Sequence, residues 1–244
     1  MKKKGNLDHV YGENESIKFD NRREKYAEYT RYLENLSITK KELIENIGTY
    51  IGDMSLNRLL TLTEYFKMTN HIAGHIADVG TYKGASALLF AKLMKIHNPE
   101  SIWQVHGFDW FKGTPPLSKN DSELVIEGGY LSSKEDLLNL SKLQNLDSVF
   151  RLHNLDLTTE LKDFFSNMTH LQFRLVFMDA GLYDVMDQAI PLFWERLTTG
   201  GIMVFDQLSH EFAPGEISAV RKHLPNQEIL TISNSWMPNA YIKK

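Results

Sequence analysis

The stretch from Ile76 to Met94, reading Ile76-Ala-Asp-Val-Gly-Thr-Tyr-Lys-Gly-Ala-Ser86 before a run of apolar residues, constrains the fold most strongly because its hydrophobic period changes at two glycines. The residues before Gly80 make too short an apolar run for anything but a buried strand, whereas Ala87, Leu88, Ala91 and Met94 recur at helical spacing. A strand, a glycine turn and a helix in that order belong to an open α/β sheet, in which ligands bind beyond the carboxyl ends of the strands. The helix start offers free N–H groups there, and a glycine lets backbone approach a ligand closely. Asp78, Gly80 and Gly84 therefore line a candidate cofactor site. The Gly-x-x-x-Gly spacing, with bulky Tyr82 and Lys83 inside it, is a poor cradle for a pyrophosphate, so a cofactor lacking one fits better. The same two glycines also occur in α/β turns that hold nothing.

Downstream, Ile102 to Phe108 reads as a second strand ending in Asp109, one helix away from the glycine turn. An acidic residue in that position accepts hydrogen bonds from ribose hydroxyls in nucleoside-binding α/β domains. Its bland alternative is a helix-capping or surface Asp. Residues 110–130 contain Gly113, Pro115, Pro116, Gly128 and Gly129 and no period, longer than compact domains use without purpose, which suggests a substrate loop. Further strands are expected near 149–153, followed by Asp156, and over 172–178, ending at Asp179. Another is expected at 202–205, after Gly200-Gly201 and ending at Asp206. Helices are expected from about Ser55 through Phe66, over 133–143, near 159–165, after Asp179 through Ala189, Ile190, Phe193 and Leu197, and near 215–223. The runs 228–233 and 240–243 are joined too tightly for a parallel crossover and predict an antiparallel hairpin.

Before this domain, residues 1–19 are polar and aperiodic and read as a mobile or lid-like arm, while 21–35 and 39–51 carry accessory helical patterns. The expected division is 1–53 for the arm and accessory helices and 54–244 for the main domain, with the insertion at about 110–130. A chain of 244 residues with 42% hydrophobic residues can build a substantial core. It has no cysteine, so its chemistry comes from oxygen and nitrogen groups. A net charge of −4 argues against nonspecific nucleic-acid binding, and no apolar run is long enough to span a membrane. The basic start Met1-Lys-Lys-Lys4 lacks the apolar region of a secretory signal, so cytoplasmic localisation is the expectation. Self-association into a homo-oligomer is left open.

With these elements in place, the chain resembles the class I S-adenosylmethionine-dependent methyltransferases, and among them the macrocin O-methyltransferase-like sugar O-methyltransferases. The resemblance rests on Met54-Ser-Leu-Asn-Arg-Leu-Leu60, Asp78-Val-Gly-Thr-Tyr-Lys-Gly-Ala-Ser86, Gly107-Phe-Asp-Trp-Phe-Lys-Gly-Thr-Pro115, Asp179-Ala-Gly-Leu-Tyr183 and Gly200-Gly-Ile-Met-Val-Phe-Asp206. It implies a Rossmann-like seven-stranded, mostly parallel sheet of order 3-2-1-4-5-7-6 with the last strand antiparallel and helices on both faces. It further implies S-adenosylmethionine over strands one and two and transfer of its methyl group to a hydroxyl of a small molecule, a sugar or glycosylated natural product. Gly80, Thr81 and Ser86 would hold the methionine portion, Asp109 the ribose and Asp156 the adenine. The chain departs from the family pattern in having Gly181 and Gln207 where acidic residues are usual.

Asp179, Asp206 and Gln207 nevertheless put two carboxylates and an amide oxygen at adjacent strand ends, hard ligands of the kind Mg2+ accepts. The alternative is that they cap the following helices. Methyl transfer to a hydroxyl is an in-line displacement that needs alignment and a proton acceptor, for which Asp179 and His210 are the candidates. A nicotinamide-dependent oxidoreductase would also want a first-turn glycine cluster, but the terminal hairpin and the segment after Asp109 speak against it. A noncatalytic cofactor-binding protein is the other alternative.

Overall fold

The computed structural model describes residues 17–233 and 235–244, and these divide into two compact units between Asn57 and Arg58. Most of the polar arm expected over residues 1–19 lies outside the described residues. In the first unit, α1 (Ile17–Asn35) is followed by α2 (Lys40–Glu45) and α3 (Ile47–Tyr50). The pattern over 39–51 thus forms two helices, not one. Thr39 caps α2 by accepting from the Glu42 N–H, and Asn46, at φ −118°, ends α2 and opens α3. The Tyr29 hydroxyl ties α1 to α3 by donating to the Tyr50 carbonyl.

The second unit follows within α4 (Asp53–Thr69) and is built on β1 (His75–Val79), β2 (Val105–Asp109), β3 (Phe150–Asn154), β4 (Phe173–Met178), β5 (Leu197–Phe205) and β6 (Ala240–Lys243). Their order is β3-β2-β1-β4-β5-β6, parallel throughout except for the antiparallel pair β5–β6. The sheet among the described residues therefore has six strands, and the expected seven is corrected. The missing strand is the run 228–233, which makes a single antiparallel bridge, Leu230 with Tyr241. Its inward face is only Leu230 and Ile232, both half-buried, while Glu228, Ile229, Thr231 and Ser233 are exposed, so little holds a longer ladder there. β5 also starts earlier than expected, at Leu197. Its register against β4 jumps from Leu197↔Phe173 to Ile202↔Leu175, and the extra residues are absorbed at Gly200, φ +84°.

Helices cover both faces, so the inner strands read as continuous apolar runs. On one face Ala77, Val79, Val176, Met178, Met203 and Phe205 pack with α7 (Leu161–Asn167), α8 (Tyr183–Arg196) and α9 (Pro214–His223). On the other, Ile76, Leu175, Phe177, Ile202 and Val204 pack with α4, α5 (Ala85–His97) and α6 (Lys134–Leu143). Both layers direct the strand ends, and the loops that follow them, toward one rim.

A chain of imidazoles crosses the sheet below that rim. The Gln104 N–H donates to His75 Nδ1 (3.0 Å), which makes this nitrogen an acceptor, so His106 Nε2 must carry the proton shared with it (3.1 Å). His106 Nδ1 is then an acceptor, and His153 Nε2 donates to it (2.8 Å). Burial, the neighbouring histidines and Arg151 push His106 down to about 2, and burial and Arg151 push His153 to about 4, so all three rings stay neutral at ordinary pH.

Candidate active site

At the first rim turn, Gly80 has φ +89°, and a Cβ built on it would lie 2.4 Å from the Asp179 carbonyl oxygen and 2.8 Å from its carbon. Only glycine lets the turn after β1 rest on the backbone after β4. Gly84, φ +81°, starts α5 as its N-cap, and a Cβ there would strike Leu137 Cδ1 at 2.3 Å. Thr81 Oγ1 donates to the Asp78 carbonyl (2.9 Å) and closes the turn. Asp78 itself is fully buried, and among the described residues neither of its carboxylate oxygens has a hydrogen-bond partner. Burial pushes its pKa up to about 6, against the opposing pull of the nearby Ser86 and Thr81 hydroxyls and of Arg58. Such a carboxylate calls for a donor from outside.

Asp109 ends β2 and orients the same turn. Its Oδ2 accepts from the Tyr82 N–H and its Oδ1 from the Phe111 N–H, both at 2.7 Å. These bonds stabilise two residues in left-handed backbone, Tyr82 at φ +51° and Phe111 at φ +60°. Each oxygen retains a lone pair for a further donor. Asp156 follows β3 and closes its own turn: Oδ1 accepts from the Thr158 N–H (2.8 Å) and hydroxyl (2.6 Å).

The acidic residues after β4 and β5 meet as the spacing predicts, since the parallel ladder continues one residue past each strand through Asp179 N to Val79 O (2.8 Å) and Asp206 N to Met178 O (3.0 Å). A residue overlooked in the sequence lies between them. Arg58 of α4 donates from Nη2 to Asp179 Oδ2 at 2.8 Å and from Nη1 to Asp206 Oδ1, while its guanidinium stacks 5.6 Å from the Phe177 ring centroid. Burial opposes the Arg58 charge, but Asp206 and Asp179 outweigh it and hold the guanidinium's pKa above its ordinary value. Asp206 keeps 5% of its side chain exposed and Asp179 29%, so Asp179 is the one that faces an incoming molecule. Burial and then Asp206 hold the Asp179 pKa well above the usual carboxylate range, with Arg58 pulling it down.

Two more unforeseen groups close the site. Glu216, in the first turn of α9, is fully buried: Oε2 accepts from the Gln207 N–H (3.1 Å), and Oε1 has no partner among the described residues. Burial, then Asp206 and Asp179, raise its pKa well above the ordinary value, which favours the neutral acid. Tyr130, at the end of the insertion, meets Tyr82 edge-on with ring centroids 5.5 Å apart. Its pKa is raised by burial, then by Asp179, Tyr82 and Asp206. The insertion is pinned, not loose: Asp121 Oδ1 accepts from the Tyr183 N–H at 2.7 Å, and Thr114 exchanges bonds with Gly128 and Gly129. His210 lies in the loop after β5, stacked on Phe212, where its Nδ1 accepts from the Phe212 N–H (3.2 Å). The neutral ring then carries its proton on Nε2 and has no second lone pair to offer as a base.

The Mg2+ expected from Asp179, Asp206 and Gln207 does not fit this arrangement. One oxygen of each carboxylate, Asp179 Oδ2 and Asp206 Oδ1, already accepts from Arg58, a cation that does not deprotonate in proteins and that stands where an ion bridging the two would sit. Gln207 adds only a neutral oxygen. Among the described residues no group of three or more His, Asp or Glu side chains is arranged to hold a metal ion.

A family model described as a methyltransferase domain matches residues 77–208, which span β1 to the start of the loop after β5. No curated protein matches the sequence. Among solved structures, the chain is similar to CalS11, described as a calicheamicin methyltransferase, with a TM-score of 0.80 and 20% identity over 92% of this chain and 93% of that one. An apo structure of CalS11, described as a TDP-rhamnose 3'-O-methyltransferase, gives a TM-score of 0.73 and 21% identity over 92% and 94%. The O-methyltransferase NovP gives 0.63 and 18% over 78% and 80%.

Proposed function

The chain belongs to the methyltransferase domain family, and we propose that it is an S-adenosylmethionine-dependent O-methyltransferase whose acceptor is a hydroxyl of a small molecule, a sugar or glycosylated natural product. The observation that carries this reading is the contact between Gly80 and Asp179. The turn that would receive the methyl donor rests on the backbone of the carboxylate that would face the acceptor, so donor and base share one wall. The sugar acceptor draws support from the fold shared with CalS11 and NovP and from the pinned insertion beside Tyr130.

S-adenosylmethionine supplies an electrophilic methyl group. The residues of this chain do the rest. Gly80, Thr81, Gly84 and Ser86 form the turn against its amino-acid end, where the unpartnered Asp78 carboxylate suits a cationic amine. Asp109, held by two backbone N–H groups, offers lone pairs to ribose hydroxyls, and Asp156 is assigned to the adenine side. Asp179 accepts the acceptor's proton as the new C–O bond forms. A raised pKa brings a carboxylate closer to the range in which a general base works near neutrality, and the Nδ1 bond of His210 makes that ring the weaker candidate. No step requires a divalent ion.

Purified protein incubated with methyl-labelled S-adenosylmethionine and a set of nucleotide-linked sugars, TDP-rhamnose first, tests the proposal. Label in the sugar is the expected result. A protein that binds neither S-adenosylmethionine nor S-adenosylhomocysteine by calorimetry refutes it.

A further inference from the structure

Building on the methyltransferase reading, we infer that Arg58 takes the place of a divalent ion at the acceptor carboxylates, as the fixed cation that holds Asp179 and Asp206 in position. Arg58 lies on the buried stripe of α4, four residues before Leu62 and two helical turns ahead of Tyr65 and Phe66, all three fully buried. A guanidinium on such a stripe must find anions, and this one reaches past Phe177 to the first residue after each of two neighbouring strands. Its two outer nitrogens bond one carboxylate each, so the planar fork fixes the two carboxylates relative to one another as an ion coordinated by both would. An ion seeking the same oxygens meets a permanent positive charge within bonding distance of both.

The chemistry follows without a Lewis acid. The acceptor oxygen forms its bond to the methyl carbon, the carbon–sulfur bond breaks and sulfur keeps the electron pair. The hydroxyl proton passes to the Asp179 oxygen that Arg58 does not bond. Arg58 acts through Asp179 and is a positioning residue.

Metal binding tests this without knowledge of the acceptor. Protein dialysed against chelator is titrated with Mn2+ and followed by electron paramagnetic resonance. Wild type should bind no Mn2+ up to about 1 mM, the weak end of oxygen-ligand sites. Arg58→Ala frees two carboxylates of like charge and should gain Mn2+ affinity by about tenfold or more, with a melting temperature that rises with Mn2+. The gain should vanish in Arg58→Ala combined with Asp206→Asn. A merely structural role for Arg58 predicts lower stability and no metal affinity. Arg58→Met, neutral and of similar length, gives the same readout if the alanine variant does not fold. Mn2+ binding by wild type that Asp206→Asn abolishes, or variants at Arg58 that fold and gain no affinity, overturns the inference. Calorimetry of wild type with S-adenosylhomocysteine is run alongside: its failure sinks the methyltransferase reading, whereas the Mn2+ outcomes bear on Arg58 alone.

Discussion

Gly80→Ala is the substitution whose consequence can be worked most directly from the structure. The new methyl would sit 2.4 Å from the Asp179 oxygen, 2.8 Å from its carbon and 3.2 Å from the Ala180 nitrogen, all backbone atoms that cannot swing aside. Restoring ordinary contact means parting the ends of β1 and β4 by about 1 Å, and overpacking of this kind costs about 1–3 kcal/mol. Holding alanine in left-handed backbone adds about 1–2 kcal/mol. The sum, about 2–5 kcal/mol, corresponds to a melting temperature lower by about 4–20 °C for a unit of this size. Gly128 is the control, because it has φ +70° and nothing within 4 Å of its would-be Cβ, so Gly128→Ala bears only the conformational part. Melting curves followed by circular dichroism should separate the two variants. Calorimetry with S-adenosylhomocysteine should show lost affinity only for Gly80→Ala. Equal melting temperatures with intact affinity in both would refute the claim that this glycine sets the distance between the turn after β1 and Asp179.

Asp109→Asn leaves one of the Tyr82 and Phe111 N–H groups facing an amide NH2, and it should weaken S-adenosylhomocysteine binding by about 1–3 kcal/mol, read by calorimetry. Asp121→Ala removes the anchor to the Tyr183 N–H and the bonds to Ser118, so tryptic cleavage after Lys112 and Lys119 should accelerate while the far-UV spectrum is unchanged. The histidine chain sets acid stability: the rings titrate near 6.5 when unfolded but well below that when folded, so the unfolded state binds more protons under about pH 6.5 and stability falls as pH drops. His106→Phe should flatten that fall in urea titrations between about pH 6.5 and 4; an unchanged slope removes the chain as its cause.

The strand-turn-helix at Gly80 and the acids at 109, 179 and 206 were legible because period and punctuation are local properties. A glycine between a period of 2 and a period of 3.6 marks a turn whatever surrounds it. The seventh strand fails for the complementary reason: 228–233 has strand-like residues, but a ladder there needs a well-buried face, and tertiary structure only half-buries Leu230 and Ile232. Arg58 and Glu216 carry no comparable mark, because a charged residue inside an amphipathic helix reads as solvated. The signal existed, since Arg58 falls in register with Leu62 and Phe66, and Glu216 with Ala219 and Val220, on the buried side of each helix. What no pattern in one helix can state is that the anions Arg58 meets wait 121 and 148 residues away.

These long-range bonds join the two halves of the site into one mechanical unit. Asp109 fixes the Tyr82 N–H, the Tyr82 carbonyl accepts from Ser132 Oγ at 3.0 Å, and the Tyr82 ring meets Tyr130, whose hydroxyl feels Asp179. On the opposite side the Gly80 backbone touches Asp179 directly. The turn after β1 is therefore bounded by the insertion through one contact and by Asp179 through another. Tyr82, at φ +51°, is held in that conformation by the Asp109 and Ser132 bonds, not by its own preference. Asp109, the Tyr82 backbone and ring, Ser132 and Tyr130 are thus tied into one run of contacts along the rim.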